Sequence, residues 1–343
     1  MTTNLKLALA AALLLAGSVW VWADSVSRGD RFQRGRKLLP NLMIDEVAAI
    51  AVTEGGKTTT LERAESGFTI AEAHDYPAKN EAVNRLLRDL VEIGLEKEIG
   101  SGEDLARELE IEPPTESTVD LTLRNGSGQD MVRLRLGKTF TDGAGRYVRR
   151  TDQQAAPIYL TSEGVFLATS MDELLDKEIV DELPSEVVRV EGGDFVLAAP
   201  EEGGVPALVG VPAGRQEKRS ETARLRSVLE RLSFDRVYLA DDPEVQGLEF
   251  EPRLRIALAD DTSYSLSLAK RDERSFLAIR GDHAIGQVMI TLTTPEDELR
   301  EKADQLTRAE EIGKFNEFHA SWVYEIPSAT ASKLELTKAD LVE

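Results

Sequence analysis

The sequence predicts an α+β protein: two tandem repeated modules of antiparallel sheet with a packed helix, preceded by an N-terminal hydrophobic helix. Three observations carry this expectation. Short apolar-rich segments are separated by glycine turns, as in "AAIAVTEGGKTTTLERA". Val83, Leu86, Leu87, Leu90 and Val91 fall at i, i+3, i+4, i+7 and i+8, one stripe of an amphipathic helix. The same succession of helix and hairpin then returns later in the chain.

The first element is the uncharged run Leu7 to Ala23, which follows Lys6 and contains Leu13, Trp20 and Trp22. At about 1.5 Å per residue, its roughly 17 residues just reach across a hydrocarbon core, and the two tryptophans stand where an interfacial belt would lie. Residues 1–23 are therefore expected to be a signal anchor or transmembrane helix, with Leu7, Leu13, Trp20 and Trp22 as anchor residues. The rivals are a cleaved signal peptide, since Val21-Trp22-Ala23 resembles a small-x-small site, and a buried core helix. Arg28, Arg31, Arg34, Arg36 and Lys37 outweigh Lys6, which by charge alone would keep the body in the cytoplasm. A very short tail before a single apolar run behaves as an export signal, however, and the basic cluster can lie on anionic headgroups. The expectation is a single-pass protein of the cell inner membrane with a periplasmic body.

Residues 24–37 read as a charged tether, and the first α+β module spans 38–180. It opens with a meander turned at Gly55-Gly56 and at Ser66-Gly67 and continues into the amphipathic helix, with Asn80 as its expected N-cap. "SGEDLARELEI" predicts a short helix with Ser101 and Asp104 spaced as a capping box, closed by Pro113-Pro114. Leu121, Leu123, Leu134 and Leu136 alternate around an Asn125-Gly126 turn, which predicts a hairpin. "GRYVRR" and "PIYL" add strands, and "SMDELLDKEIV" another capped helix.

The second module, 181–284, repeats the order. Leu225, Val228, Leu229 and Leu232 match Val83, Leu86, Leu87 and Leu90. Leu254, Ile256, Leu258, Leu266 and Leu268 mirror the first hairpin, with Lys270 against Lys138 and "FLAIR" against "YVRR". Residues 285–343 complete the body, with a helix capped by Thr294 and started by Pro295, the strand "ASWVYEI" and a short C-terminal segment.

Composition narrows the function. At 343 residues and 41% apolar, the chain can build real cores. A net charge of -21 argues against nucleic acid, which is held mainly by Lys and Arg. No cysteine is present, which removes thiol nucleophiles and thiolate metal sites.

The chemical candidates are few. His74, Asp75 and Tyr76 could form a base with an orienting carboxylate, but on an extended segment neighbours point to opposite faces, and a joint between strand and helix explains them better. His283 and His319 lack a partner at i+4, and Asp241-Asp242 and Asp260-Asp261 lack the spacing of a calcium loop. "GGVPALVGVPAG", Gly203 to Gly214, lacks the Lys-Ser/Thr of a phosphate loop and reads as a flexible apolar loop able to touch a partner or a membrane. "DGAGRYVRR" offers a basic, aromatic hairpin edge. Trp322 and Tyr324 share a strand face and are expected in the core. The candidate partner surface is thus Tyr147, Arg149, Arg150, Gly210 and Val211, with no catalytic, metal or cofactor residues.

The segments "LLPNLMIDEVAAIAV", "GFTIAEAHDYPAKNEAVNRLLRDL", "EDLARELEIEPP", "LRLGK", "GRYVRR" and "WVYEIP" together resemble the bacterial domain-of-unknown-function family numbered 4340. The resemblance runs from Leu38 to about Pro327, and Lys79 departs from it where an acidic cap is expected. It implies a membrane-anchored extracytoplasmic protein, of the kind often encoded beside ABC-type transport proteins of the gliding-motility auxiliary class. The function expected is then a non-enzymatic accessory subunit that contacts the membrane through its N-terminal helix and integral-membrane transporter subunits through its body. The alternatives are a ligand-binding or scaffold module for envelope polysaccharide and, behind it, a carboxylate-dependent hydrolase.

Overall fold

The computed structural model describes Ser18, residues 34–284 and residues 296–343. The expected anchor residues Leu7, Leu13, Trp20 and Trp22, and the expected cap Thr294-Pro295, lie outside the described residues. The chain is a mixed α and β protein with large antiparallel sheets and few helices, and it divides into two compact units, Met1–Asp176 and Lys177–Glu343. Among the described residues, no helix is long and apolar enough to cross a membrane.

The first unit contains β1 (Val47–Glu54), β2 (Lys57–Ala64), β3 (Gly67–Ile70), β4 (Tyr76–Pro77), α1 (Asn80–Glu92), β5 (Leu95–Gly100), α2 (Glu103–Glu108), β6 (Val119–Asn125), β7 (Asp130–Thr139), β8 (Arg146–Arg150), β9 (Ile158–Thr161) and α3 (Met171–Leu174). Its nine-stranded sheet runs β4-β3-β2-β1-β6-β7-β8-β9-β5. Gly55 and Gly56 both take positive φ, which lets a two-residue turn set Glu54 opposite Lys57. The β6–β7 turn is held by the Asn125 side-chain oxygen, which accepts from the Ser127 and Gln129 amides. After β4 the chain crosses through α1 to the far edge, places β5 there, and returns to fill the gap with β6 to β9. Val83, Leu86, Leu87 and Leu90 of α1 are buried, as the stripe requires.

Three local expectations are corrected here. Lys79, not Asn80, is the α1 N-cap, and it makes no side-chain capping bond among the described residues. The Asn80 side chain instead covers Gly67, where a Cβ would lie 2.3 Å from its oxygen. Helix α2 starts after Gly102 without the Ser101–Asp104 box and stops at Glu108. Glu110 at φ 58 closes it, with the Glu110 and Ile111 amides donating to the Arg107 and Ala106 carbonyls. The capped helix expected over "SMDELLDKEIV" shortens to α3, started by a capping box between Ser170 and Glu173, and Glu178–Val180 is a strand.

The second unit contains β10 (Glu178–Val180), β11 (Val187–Glu191), β12 (Val196–Ala198), β13 (Ala207–Leu208), α4 (Arg219–Arg226), β14 (Leu232–Ser233), β15 (Arg236–Leu239), β16 (Glu251–Leu258), β17 (Thr262–Arg271), β18 (Arg274–His283), α5 (Glu296–His319), β19 (Trp322–Ile326) and α6 (Ser328–Leu334). Its eight-stranded sheet runs β13-β12-β11-β16-β17-β18-β19-β15, and β10 pairs separately with β14. Leu225, Val228, Leu229 and Leu232 are all buried, yet α4 ends at Arg226 and Leu232 is already in β14. The Val228 amide reaches only to Leu225, and Arg231 takes a positive φ, so tight turns deliver the stripe to the core. Tyr324 is fully buried, while Trp322 is half-buried.

Candidate functional site

Strand β8 carries three of the residues singled out in the sequence, and its position decides what each can do. It lies between β7 and β9, inside the sheet, so the expected hairpin edge is not an edge. Strand alternation puts Tyr147 and Arg149 on one face and Val148 and Arg150 on the other. Tyr147 is buried among Ala106, Leu109, Ile111, Ile158 and Leu160, with Phe140 meeting its ring edge-on at 6.1 Å. Burial pushes its phenol pKa up, and Glu108 and Asp142 add to the rise. Tyr147 is therefore a core residue and offers no exposed aromatic surface.

Arg150 is occupied as well. Its guanidinium grips Asp152 through Nη2–Oδ2 at 2.5 Å and Nε–Oδ1 at 3.2 Å. Burial would raise the Asp152 pKa, but the hydrogen bond and charge of Arg150 outweigh it and hold the carboxyl below its ordinary value.

Arg149 differs from both. It lines a cleft of about 590 Å³ together with Ser101, Gly102, Ala106, Arg107 and Pro113. Its nearest carboxylate, Glu112, stands 3.5 Å from Nη1, and its buried Nε has no hydrogen-bond partner among the described residues. Arg135 faces it directly across the β7–β8 ladder, a like-charge pair that unpaired would be unfavourable. Asp120 neutralises Arg135 through bonds of 2.6 and 3.2 Å, leaving Arg149 as the under-used cation. The partly exposed end of this guanidinium, where Nη1 stands 3.5 Å from Glu112, is what the cleft can offer to a carboxylate, a phosphate or a backbone carbonyl; the buried Nε is out of a ligand's reach.

Gly210 and Val211 belong to the second unit. Gly210 turns the chain at φ 68 after the edge strand β13, and Val205, Val209 and Val211 around it are exposed. This is an apolar edge, distinct in chemistry from the Arg149 cleft.

The other sequence candidates resolve into local structure. His74 and Asp75 sit at φ 57 and 63, so the segment is a left-handed turn rather than an extended strand, while Tyr76 is buried ahead of α1. The Asp260 carboxylate accepts from the Thr262 amide at 3.0 Å and from Arg308 Nε at 3.1 Å. Asp242 accepts from the Glu244 amide. Sequence reasoning missed the network this belongs to. Arg308 of α5 also reaches Glu182 at 2.7 Å, Glu182 accepts from the Tyr264 hydroxyl, and Thr262 bonds His283 Nδ1. Its members lie far apart in the chain, and no local motif announces them.

The model of a protein family described as a domain of unknown function, DUF4340, matches residues 69–250. The chain belongs to the DUF4340 family. No curated protein and no solved structure matches it. The DUF4340 match begins in β3 and ends just before β16, so it includes both the Arg149 cleft and the Gly210 loop.

Proposed function

We propose that this DUF4340 protein is a membrane-tethered, extracytoplasmic accessory subunit of an ABC-transporter-type envelope complex, with no reaction of its own. The observation that carries the reading is how the body begins. The end of the expected tether is already paired with the body: the Gly35 and Leu38 amides donate to the Leu95 and Ile93 carbonyls, and the Leu95 amide returns a bond to the Arg36 carbonyl. The chain is thus built into the first unit about a dozen residues after the apolar run Leu7 to Ala23, as suits a body held close to a bilayer. Co-purification of the tagged full-length chain from its native membrane in mild detergent tests this. Permease and ATPase subunits should come with it, and a chain recovered alone would overturn the accessory role. Protease added to spheroplasts should degrade the body; protection would overturn the extracytoplasmic placement.

A second reading, a binding module for acidic envelope polysaccharide, is favoured by the Arg149 cleft alone. Retention on such a polysaccharide, lost in Arg149→Met, would distinguish it.

We also infer that the body is two copies of one module. The sheet order β3-β2-β1-β6-β7-β8-β9-β5 is followed by β13-β12-β11-β16-β17-β18-β19-β15. The register shift between Val47 and Ala49 has its counterpart between Val187 and Arg189. Isolated bridges Ala78–Leu175 and Glu217–Val342 each join the segment before the unit's first α-helix, α1 or α4, to the segment after its last one, α3 or α6. Helix α5, between β18 and β19, is then an insertion of the second copy. An experimental structure with β15 anywhere but beside β19 would end this reading.

A further inference from the structure

Phe166 is exposed at 88%, an unusual state for a phenylalanine. It lies in the connection Ser162 to Ser170 between β9 and α3, whereas in the second unit Pro327 alone joins β19 to α6. The longer connection is therefore an addition beyond what this junction needs.

Its placement is well defined. The Ser162 amide donates to the Gly94 carbonyl at 2.9 Å, and Gly94 forms an antiparallel bridge on its other side with Lys37. Two strand spacings, about 10 Å, separate Lys37 from Ser162. Gly94 and Gly164 permit the approach: a Cβ on Gly94 would stand 2.6 Å from the Ser162 hydroxyl, and one on Gly164 would stand 2.8 Å from the Phe166 ring. Phe166 and Lys37 border one cavity of about 470 Å³. The exposed ring and the point where the tether joins the body share one corner of the unit.

We propose that this corner is a lipid-contacting surface, in which Phe166 enters the boundary between headgroups and acyl chains of the bilayer. The inference rests on the tether reading. Ala23 and Arg34 are eleven residues apart, so the corner can stand no more than about 40 Å from the end of the apolar run. A single aromatic side chain binds a bilayer weakly, but a tether turns that contact into an intramolecular one. Charge does not drive it. Arg36 and Lys37 are exposed there, but Arg34 pairs with Glu96, and Asp89, Glu92 and Glu163 border the same cavity. The contact should therefore persist at high salt, unlike a polybasic one.

The absence of native cysteine makes a direct test simple. Full-length Leu167→Cys carrying an environment-sensitive fluorophore is reconstituted into phosphatidylethanolamine–phosphatidylglycerol liposomes, beside a Ser127→Cys control on the β6–β7 turn. The label at 167 should shift to the blue and be quenched by doxyl-lipids, unchanged in high salt, and Phe166→Ser should abolish both signals. A water-like label at 167 on a chain that floats with the liposomes would overturn the lipid contact alone. Failure to float would overturn the tether, and the contact with it. A label shielded in native membranes but water-like in pure lipid would assign the corner to a protein partner and overturn the proposal.

Discussion

The Nδ1 of His319 lies 2.5 Å from the hydroxyl of Tyr324, inside the second unit, with the Phe315 and Phe318 rings against the imidazole. Burial pulls the His319 pKa down to about 4. The folded protein therefore holds this imidazole neutral where the unfolded chain would protonate it.

That difference gives a pH signature. Above the ordinary histidine pKa, neither state is protonated and nothing is lost. As pH falls from about 6.5 to about 4, the unfolded state gains a proton that the fold refuses, and stability drops by roughly 3 kcal/mol before levelling. Urea midpoints measured across that window should show the drop, and His319→Gln should flatten it. An unchanged slope in the variant would assign the pH dependence elsewhere.

Gly137 permits the close approach of β7 to the Leu109–Ile111 segment that follows α2. A Cβ there would stand 2.2 Å from the Leu109 carbonyl oxygen, which also accepts from the Lys138 amide. Gly137→Ala should destabilise the protein by about 1–3 kcal/mol, because backbone rather than a flexible side chain must move. Gly126→Ala, in open space on a turn, is the control and should stay within about 0.5 kcal/mol in the same urea titration.

Arg135 and Arg149 face each other across the ladder, yet their substitutions should differ. Arg135→Met strands the half-buried Asp120 and should lower stability by about 1–3 kcal/mol. Arg149→Met removes a cation whose Nε has no partner among the described residues, and should stay within about 1 kcal/mol while losing whatever the cleft binds. Thermal denaturation, paired with co-purification, reads both.

Arg308 docks α5 by bridging Glu182 and Asp260. Arg308→Met should leave both carboxylates under-compensated and cost roughly 2 kcal/mol. Adding Glu182→Gln should recover part of that loss; full additivity in the double-mutant cycle would mean that the pair is not coupled.

The strand segments and their succession along the chain were legible because local chemistry encodes them. Gly55-Gly56 and Asn125 announce turns, and Leu121 and Leu123 announce a buried face by alternation. The α1 stripe was equally plain, since period and burial coincide. The α4 stripe was not, because Val228, Leu229 and Leu232 reach the core through turns that keep the spacing but abandon the helix. Arg149 was legible as a residue but not as a site: its value depends on Asp120 having taken Arg135, a contact made across the sheet. Phe166 gave no signal, since a lone phenylalanine in a sequence normally means core.

By itself, the sequence determined the alternating strands, the hairpin turns, the amphipathic helix, the apolar run near the start and the net charge of -21. The first four depend on neighbours within a turn or a few residues, and the charge on composition alone. Only the tertiary structure decided that β8 is internal, that β5 closes the sheet beyond β9, that His319 meets Tyr324, and that Phe166 stands beside Lys37. These are pairings between distant segments, settled by the joint packing of whole sheets, and no residue carries the identity of its distant partner in its own spacing.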